Sequence, residues 1–469
     1  MSNPFVRTAL ACAVMGYSTL TWANEKSLDL DDLVVTASGF EQKITEAPAS
    51  VSVISNKKLT EMRYSNLAQA LEDVEGVDVR QSTGKTGGLN ISIRGLPSEY
   101  TLILIDGRRQ NDSGNVTPNG FNDTATSFMP PLSAIERIEV IRGPMSTLYG
   151  SDAMGGVVNI ITKKVASEWS SNISLDHTFQ ENKDYGTARN ATFYTSGPLV
   201  EGLLGLNLRG SINDRSESDL KFDNGSSVSK RGVSPVEGRK HNVGARLNFT
   251  PDADNDFGLD FEHGKQSYNN DDCQLGTLDG VAGGNAINGC TTPDVKKANG
   301  YKDKLRFERN QFAITHVGRY ELGTLDSSLT HKTTETFGRT IPGSPIGNSY
   351  TGYPSIVIGS DRKLKNTDLV LDSKFTAEYF ENHVSTIGGQ WLKAKMTDGI
   401  ANEDFEQKSW AVFLEDEWRL RDDLALTLGG RYEDHQSFGG HLSPRAYLVW
   451  NTTDNWTIKG GVSRGYKPP

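Results

Sequence analysis

Several groups of residues have the composition of a reactive or ligand-holding site, and most fail on spacing. Gly84-Lys85-Thr86 matches the closing triplet of a phosphate-cradling loop, but Val79 occupies the position where the first glycine is required. Asp252, Asp254 and Asp256 have the spacing of the opening calcium ligands of a helix–loop–helix site, yet Phe257 stands where its sharp turn needs glycine. The chain has neither the helix motif of a zinc protease nor a nucleophile elbow. No enzyme is expected, no resident metal, and no nucleotide-driven step. Cys273 and Cys290 lie close together in a stretch rich in Gly, Asn and Asp, where a disulfide would close a loop in an oxidising compartment. A redox or metal-binding pair is the alternative, but the stretch offers no further His or Cys.

The first residues bear on the compartment. Arg7 supplies a positive charge, Thr8 to Leu20 an apolar stretch, and Thr21-Trp22-Ala23 a small-residue cleavage site. Residues 1–23 therefore read as a secretory signal, with a buried helix as the alternative. Cys12 could mark a lipoprotein, but the apolar stretch continues past it, so it is expected to leave with the signal.

The remaining elements fall into three regions. Residues 24–45 are polar. Residues 46–164 have the pattern of a compact α+β domain. Ser55 can cap a short helix running to Met62, and Asn66 to Val74 reads as another. Ile91–Ile93, Leu102–Ile105, Ile138–Ile141 and Val157–Ile161 read as strands. From 165 to 469 the chain alternates with a period of two. Leu369, Leu371, Phe375 and Tyr379 share one face against Asp372, Lys374 and Glu378 on the other. Trp410, Val412, Leu414 and Trp418 alternate with Phe413, Glu415, Glu417 and Arg419. A soluble β-sandwich also alternates, but several segments reach about 11 residues, the length of a tilted membrane strand. Short turns (199–202, 380–383, 421–423) alternate with long polar stretches (215–240, 264–304, 338–363), as in a transmembrane β-barrel.

The bulk composition is compatible with this. Mean hydropathy is −0.49, and no apolar run reaches the roughly 18 residues of a membrane helix. A barrel can be this polar because alternate residues face a wet lumen. A net charge of −10 argues against a nucleic-acid partner. About 13 barrel strands can be counted, whereas closed bacterial barrels have an even number. The chain stops at Lys467-Pro468-Pro469 without a terminal aromatic strand. The expectation is a partial barrel, lacking its last strands.

Longer motifs carry a family resemblance. They are Asp32-Leu33-Val34-Val35-Thr36-Ala37, Asn90-Ile91-Ser92-Ile93-Arg94-Gly95, Leu102-Ile103-Leu104-Ile105-Asp106-Gly107, Ile135 to Pro144, Ser146 to Ala153, and Arg464-Gly465-Tyr466-Lys467-Pro468. In this order they resemble TonB-dependent outer-membrane siderophore receptors, most closely the ferric enterobactin and colicin I receptor branch. The resemblance implies an N-terminal α+β plug inside a transmembrane antiparallel β-barrel of 22 strands, a size at which plugged outer-membrane transporters occur. It makes Asp32 to Ala37 a TonB box, whose β-branched run can add a strand to a partner sheet and take energy from the inner-membrane TonB complex. It implies that Arg94 and Arg142 pair with barrel glutamates; Glu415 and Glu417 are the candidates. It also implies docking of a colicin or phage on the long loops.

The implied cargo is a ferric siderophore. The iron arrives already chelated, so no cofactor is expected. A ferric tris-catecholate is anionic and rimmed with aromatic rings, and suits Arg or Lys with stacking aromatics. Candidates are Lys85, Arg109 and Phe121 in the plug, and Lys265, Tyr268, Tyr301, Arg339 and Tyr350 in barrel loops. Each taken singly is more often solvated surface. Haem or cobalamin are the alternative cargoes. No histidine precedes His177, so the plug offers haem no axial ligand. A passive porin or adhesin is the reading from another class, against which the plug and box motifs argue.

Overall fold

A computed structural model describes residues 33–34, 37–62, 64, 67–81, 89–113, 124–225, 236–270, 293–400, 404–453 and 455–468. The signal region, Asp32, Val35, Thr36, Lys85, Phe121, Cys273 and Cys290 lie outside the described residues.

Leu33–Val34 (β1) pairs antiparallel with Gln42–Lys43 (β2), so the chain folds back on itself just after the box. Ser50–Ser55 (β3) leads into helix Asn56–Glu61, whose first turn is capped by Ser55 Oγ accepting from the Lys58 amide at 3.3 Å. The expected helix thus ends one residue early, with Met62 as its C-cap. Helix Leu67–Glu72 ends two residues before the expected Val74 and buries Leu67, Ala70 and Leu71 on one stripe.

Val77–Gln81 (β4) and Leu89–Ile93 (β5) form a separate hairpin. Thr101–Ile105 (β6), Arg108–Arg109 (β7), Ile135–Arg142 (β8) and Gly156–Thr162 (β9) join β3 in a five-stranded sheet of order β3-β8-β9-β6-β7. Only β6 and β9 run parallel. All five residues of β6 are buried, as expected of a strand covered on both faces. The helices close one face over Ile54, Leu71, Ile103, Ile138, Val158 and Ile160.

The second region contains Ser170–Thr178 (β10), Ala188–Val200 (β11), Leu204–Arg215 (β12), Gly238–Phe249 (β13), Asn255–Asn269 (β14), Tyr301–Tyr320 (β15), Gly323–Arg339 (β16), Ser349–Tyr350 (β17), Tyr353–Val357 (β18), Leu364–Tyr379 (β19), His383–Asp398 (β20), Asp404–Arg421 (β21), Leu424–His435 (β22), Gly439–Thr453 (β23) and Trp456–Ser463 (β24). All but β17 and β18 belong to one antiparallel sheet of 13 strands, in agreement with the number counted from the sequence. Each strand pairs with its chain neighbour, and β17–β18 is a small hairpin on the long connection before β19. At the sheet's two ends β10 and β24 each pair on one side.

The polarity of the wall is inverted relative to a water-soluble sheet. On β21, Trp410, Val412 and Leu414 point outward with relative exposures of 45%, 52% and 52%, while Glu415 and Glu417 point inward at 3% and 4%. At the short-turn end Tyr379, His383 and Trp418 stack at ring separations of 5.3 and 5.5 Å. Toward the long-connection end Trp391 lies opposite Trp410, whose ring is 5.7 Å from Tyr432. Two aromatic girdles bounding an apolar band are the arrangement that suits a bilayer. At about 3.3 Å per residue, Trp410 and Trp418 are roughly 26 Å apart along the strand, on the scale of an apolar band about 25 Å tall.

The strands run further than the alternation alone suggests. Lys265 and Tyr268, expected in a loop, sit on β14, and Tyr301 and Arg339 begin β15 and end β16. Continued cross-strand bonding from Asn269 to Lys304 carries the sheet above the membrane band, where the outward face turns polar with Lys265, Lys304, Arg306 and Glu308 while Tyr268, Leu305 and Phe307 stay buried on the inner face.

Candidate functional site

The plug sits against the inner face of the wall, fastened by buried charges. Asp106 and Gly107 both have positive φ (50° and 75°), the geometry of a tight two-residue hairpin turn between β6 and β7. The turn presents the Asp106 carboxylate to Arg246 of β13, which donates to it. Arg246 also donates through Nε to Asp260 Oδ2 at 2.7 Å and through Nη1 to Thr162 Oγ1 at 2.8 Å. Arg108 lies 3.6 Å from Asp260, and Arg209 reaches Asp260 at 3.1 Å and Glu262 at 3.4 Å. Burial would push Asp106 up. Arg246, Arg108 and the Thr162 amide outweigh it and hold the carboxyl below its ordinary range.

Two further contacts fix the plug's long-connection side. Lys332 of β16 donates to the carbonyls of Gln110 (3.0 Å) and Asn111 (2.8 Å), and lies 3.1 Å from Asp112 and 3.2 Å from Asp368. The segment Ser127–Met129 docks on β13–β15. Gln266 donates to Ser127 O at 3.0 Å and Arg309 to Phe128 O at 2.9 Å. The Phe128 ring packs where Gly264 has no side chain: a Cβ there would lie 2.0 Å from the ring.

Above these contacts lies a cavity of about 400 Å³ between the plug and the long-connection half of the wall. Tyr100, Arg109, Asn111 and Asp152 of the plug line it, with His435 and Lys467 of the wall region. Arg109 is 3.0 Å from Asp152 and donates to Tyr149 O at 3.1 Å. Lys467 is 3.8 Å from the same carboxylate and lies 5.0 Å over the Tyr100 ring. Two cations thus share one carboxylate beside an aromatic ring. Both nitrogens of His435 are engaged, one with Gln407 at 3.2 Å and one with the Ser437 amide at 3.1 Å.

The residues singled out from the sequence are distributed as follows. Arg109 lines the cavity. Tyr268 and Tyr301 are buried with Phe128, Leu305 and Phe307, and Arg339 stacks 4.3 Å over the Tyr301 ring. Those three are brought together, but as packed wall above the membrane band. Lys265 lies 3.5 Å from Glu308 on the outward face of β14, away from the cavity. Tyr350 faces Tyr353 at 6.3 Å in the β17–β18 hairpin. Of the box, Leu33 and Val34 form β1, and Ala37 is fully buried.

The structure does not join Arg94 or Arg142 to Glu415 or Glu417. Arg142 donates to Ser50 Oγ at 3.2 Å and to Glu75 O at 2.7 Å, both in the plug. Arg94 lies beside it, and burial followed by this like charge pushes the Arg142 guanidinium down. Glu415 pairs instead with Arg445 of β23 at 3.0 Å, and Glu417 with Arg419 at 3.4 Å. The reason is geometric: both glutamates face the lumen, but Arg445, aligned with Glu415 across β22, and Arg419, two residues along Glu417's own strand, supply each cation at closer range. Residues not singled out include Arg246, Asp260, Arg209, Lys332, Asp152 and Lys467. Their signal was present for Asp152 and Lys467, which lie inside quoted motifs, and for Arg209, which sits on the polar face of its strand.

Residues 43–157 match the TonB-dependent receptor plug domain, and residues 168–469 match the TonB-dependent receptor-like β-barrel. The iron-regulated outer membrane virulence protein of Vibrio cholerae is 35% identical over 460 residues, covering 97% of this chain and 62% of that protein. The ferrienterobactin receptor of Escherichia coli is 27% identical over 481 residues, covering 94% and 61%. Among solved structures, a ferric enterobactin receptor mutant from Pseudomonas aeruginosa in complex with enterobactin superposes with a TM-score of 0.72 at 25% identity, covering 90% of this chain and 63% of that one. The chain therefore spans a little under two thirds of the length of these relatives. Plug, lumen-facing charges and lipid-facing wall together make it an outer-membrane β-barrel protein, and it belongs to the TonB-dependent receptor family.

Proposed function

We propose that this chain is part of a receptor that imports a ferric siderophore of the catecholate class, driven by the TonB complex acting on residues 32–37. The observation that carries the reading is the cavity between plug and wall, where Arg109 and Lys467 share Asp152 beside Tyr100. An anionic ring-bearing chelate can displace the shared carboxylate from one cation and stack on the tyrosine. Relatives named as ferrienterobactin receptors, and a structural neighbour holding enterobactin, support this cargo. The plug lies in the path of any cargo and is fastened by buried ion pairs, so passage requires work on the plug. We assign no resident cofactor and no catalytic step; iron enters as cargo. Haem is the poorer fit, because the cavity histidine has both ring nitrogens engaged. Lys85, Phe121 and Tyr350 remain candidate loop contacts, and a colicin or phage would use the same outer loops.

The test is uptake of radiolabelled iron into cells devoid of other catecholate receptors, with and without TonB. Iron is offered as a ferric catecholate or as haem. TonB-dependent uptake of the catecholate is expected. Uptake of haem alone, or uptake independent of TonB, overturns the reading.

A further inference from the structure

The segment that joins the box to the plug sheet, residues 37–49, is held by the barrel wall through its main chain. Lys374 of β19 donates to Gly39 O at 2.7 Å. Arg445 of β23 donates to Pro48 O and reaches Ala37 O at 3.5 Å. Lys459 of β24 donates to Ile44 O, to Ala47 O at 2.8 Å and to Ala49 O at 3.4 Å. An ammonium has three donors and no acceptor, so Lys459 spends its whole capacity on three carbonyls of one turn. That turn is itself closed by Glu46 and Ala47 amides donating to Lys43 O at 3.0 Å and by the Ala49 amide donating to Ala47 O at 2.8 Å, so the backbone holds the three carbonyls in a converging arrangement. Arg445 is balanced by Glu415 at 3.0 Å, and Lys374 has Asp326 at 3.7 Å.

We infer that Lys374, Arg445 and Lys459 are positioning residues for energy coupling: they clamp residues 37–49 to the wall, and their release is the step that precedes any disturbance of the plug sheet. This rests on the import reading above for its purpose, but not for its geometry. Three features carry it. The cations come from strands on both sides of β20–β22, so the segment is spread over the wall and tied at several points along its length. All three cations bond to carbonyls, so their hold depends on charge and backbone shape, while the buried Ala37, Ala47 and Ala49 pack in one cluster with Phe413 of β21. Finally, the clamped residues immediately follow β1, so tension applied at residues 33–34 reaches these bonds before it reaches β3.

Hydrogen exchange measured by mass spectrometry on the intact receptor in detergent tests this. Lys459→Gln and, separately, Lys374→Gln should each raise exchange of peptides covering residues 37–49 by about tenfold. Exchange in β8 and β9 should stay unchanged. Lys459→Arg, which keeps the charge and several donors, should restore protection. A general loosening would raise exchange in the segment and the sheet together, and that outcome overturns the proposal, as does unchanged exchange in the segment of both Gln variants. Iron uptake is not the readout, so failure of the import reading and failure of the clamp are separable. Arg445 is left intact because its removal would strand the buried Glu415 and could prevent folding.

Discussion

Asp106 of the plug and Arg246 of the wall form an ion pair inside the lumen, and the same guanidinium holds Asp260 and Thr162. One barrel arginine thus joins the β6–β7 turn, the end of β9 and a second wall strand. Removing a partner from such a buried set leaves the other charges uncompensated, which commonly costs about 3–5 kcal/mol. Arg246→Met should therefore loosen the plug by about 3 kcal/mol and expose it to limited proteolysis, while the wall stays folded. A variant plug as resistant as the native one would show that the network is ornamental.

Acid should act through Asp106. Its carboxyl is held below the ordinary value of 3.8 in the folded receptor. A depressed carboxyl contributes stability that is fully present above the unfolded value and is lost as pH falls through the folded one. Plug docking should thus be insensitive to Asp106 ionisation from neutral pH to about 4, and weaken in stronger acid. Asp106→Asn should lower the plug's melting temperature at neutral pH and shrink the further drop on acidification. Parallel acid curves for the two proteins would assign the acid step to another group.

The lipid face makes a third prediction. Leu414 lies midway between Trp410 and Trp418 on the outward side of β21. Arginine there should cost about 2–4 kcal/mol, against about 0–1 for the same residue at position 418 in the girdle. Reversible folding into vesicles, measured by denaturant titration, gives both values. Equal costs would place the bilayer elsewhere on the wall.

Much of this architecture was readable from residue types. The alternation of Trp410, Val412 and Leu414 with Glu415 and Glu417 identified the wall and which side faced lipid. Ser55 identified a helix start. What the alternation could not supply was partnership. A period of two assigns a face, but the neighbour on that face is set by register between strands far apart in the chain. Arg209 alternates with Leu204, Leu206 and Leu208, a pattern that places it on the lumen side, yet its partner Asp260 lies two strands away. Glu415 was expected to meet a plug arginine, and Arg445 at register position 30 residues on took its place. Pairing of this kind becomes visible only when strand register is known. The contacts of Lys459 with carbonyls were less accessible still, because every residue has a carbonyl and none advertises it.

The inverted polarity of the wall has a consequence for the chain's journey. Each wall strand spaces its apolar residues at alternate positions, so no single unpaired wall strand is greasy enough to lodge in the first bilayer it meets. The outward band exists as a surface only after neighbouring strands have paired. A chain of this pattern can cross one membrane and an aqueous compartment as a hydrated polymer, and it becomes a membrane protein at the moment of assembly, at its destination.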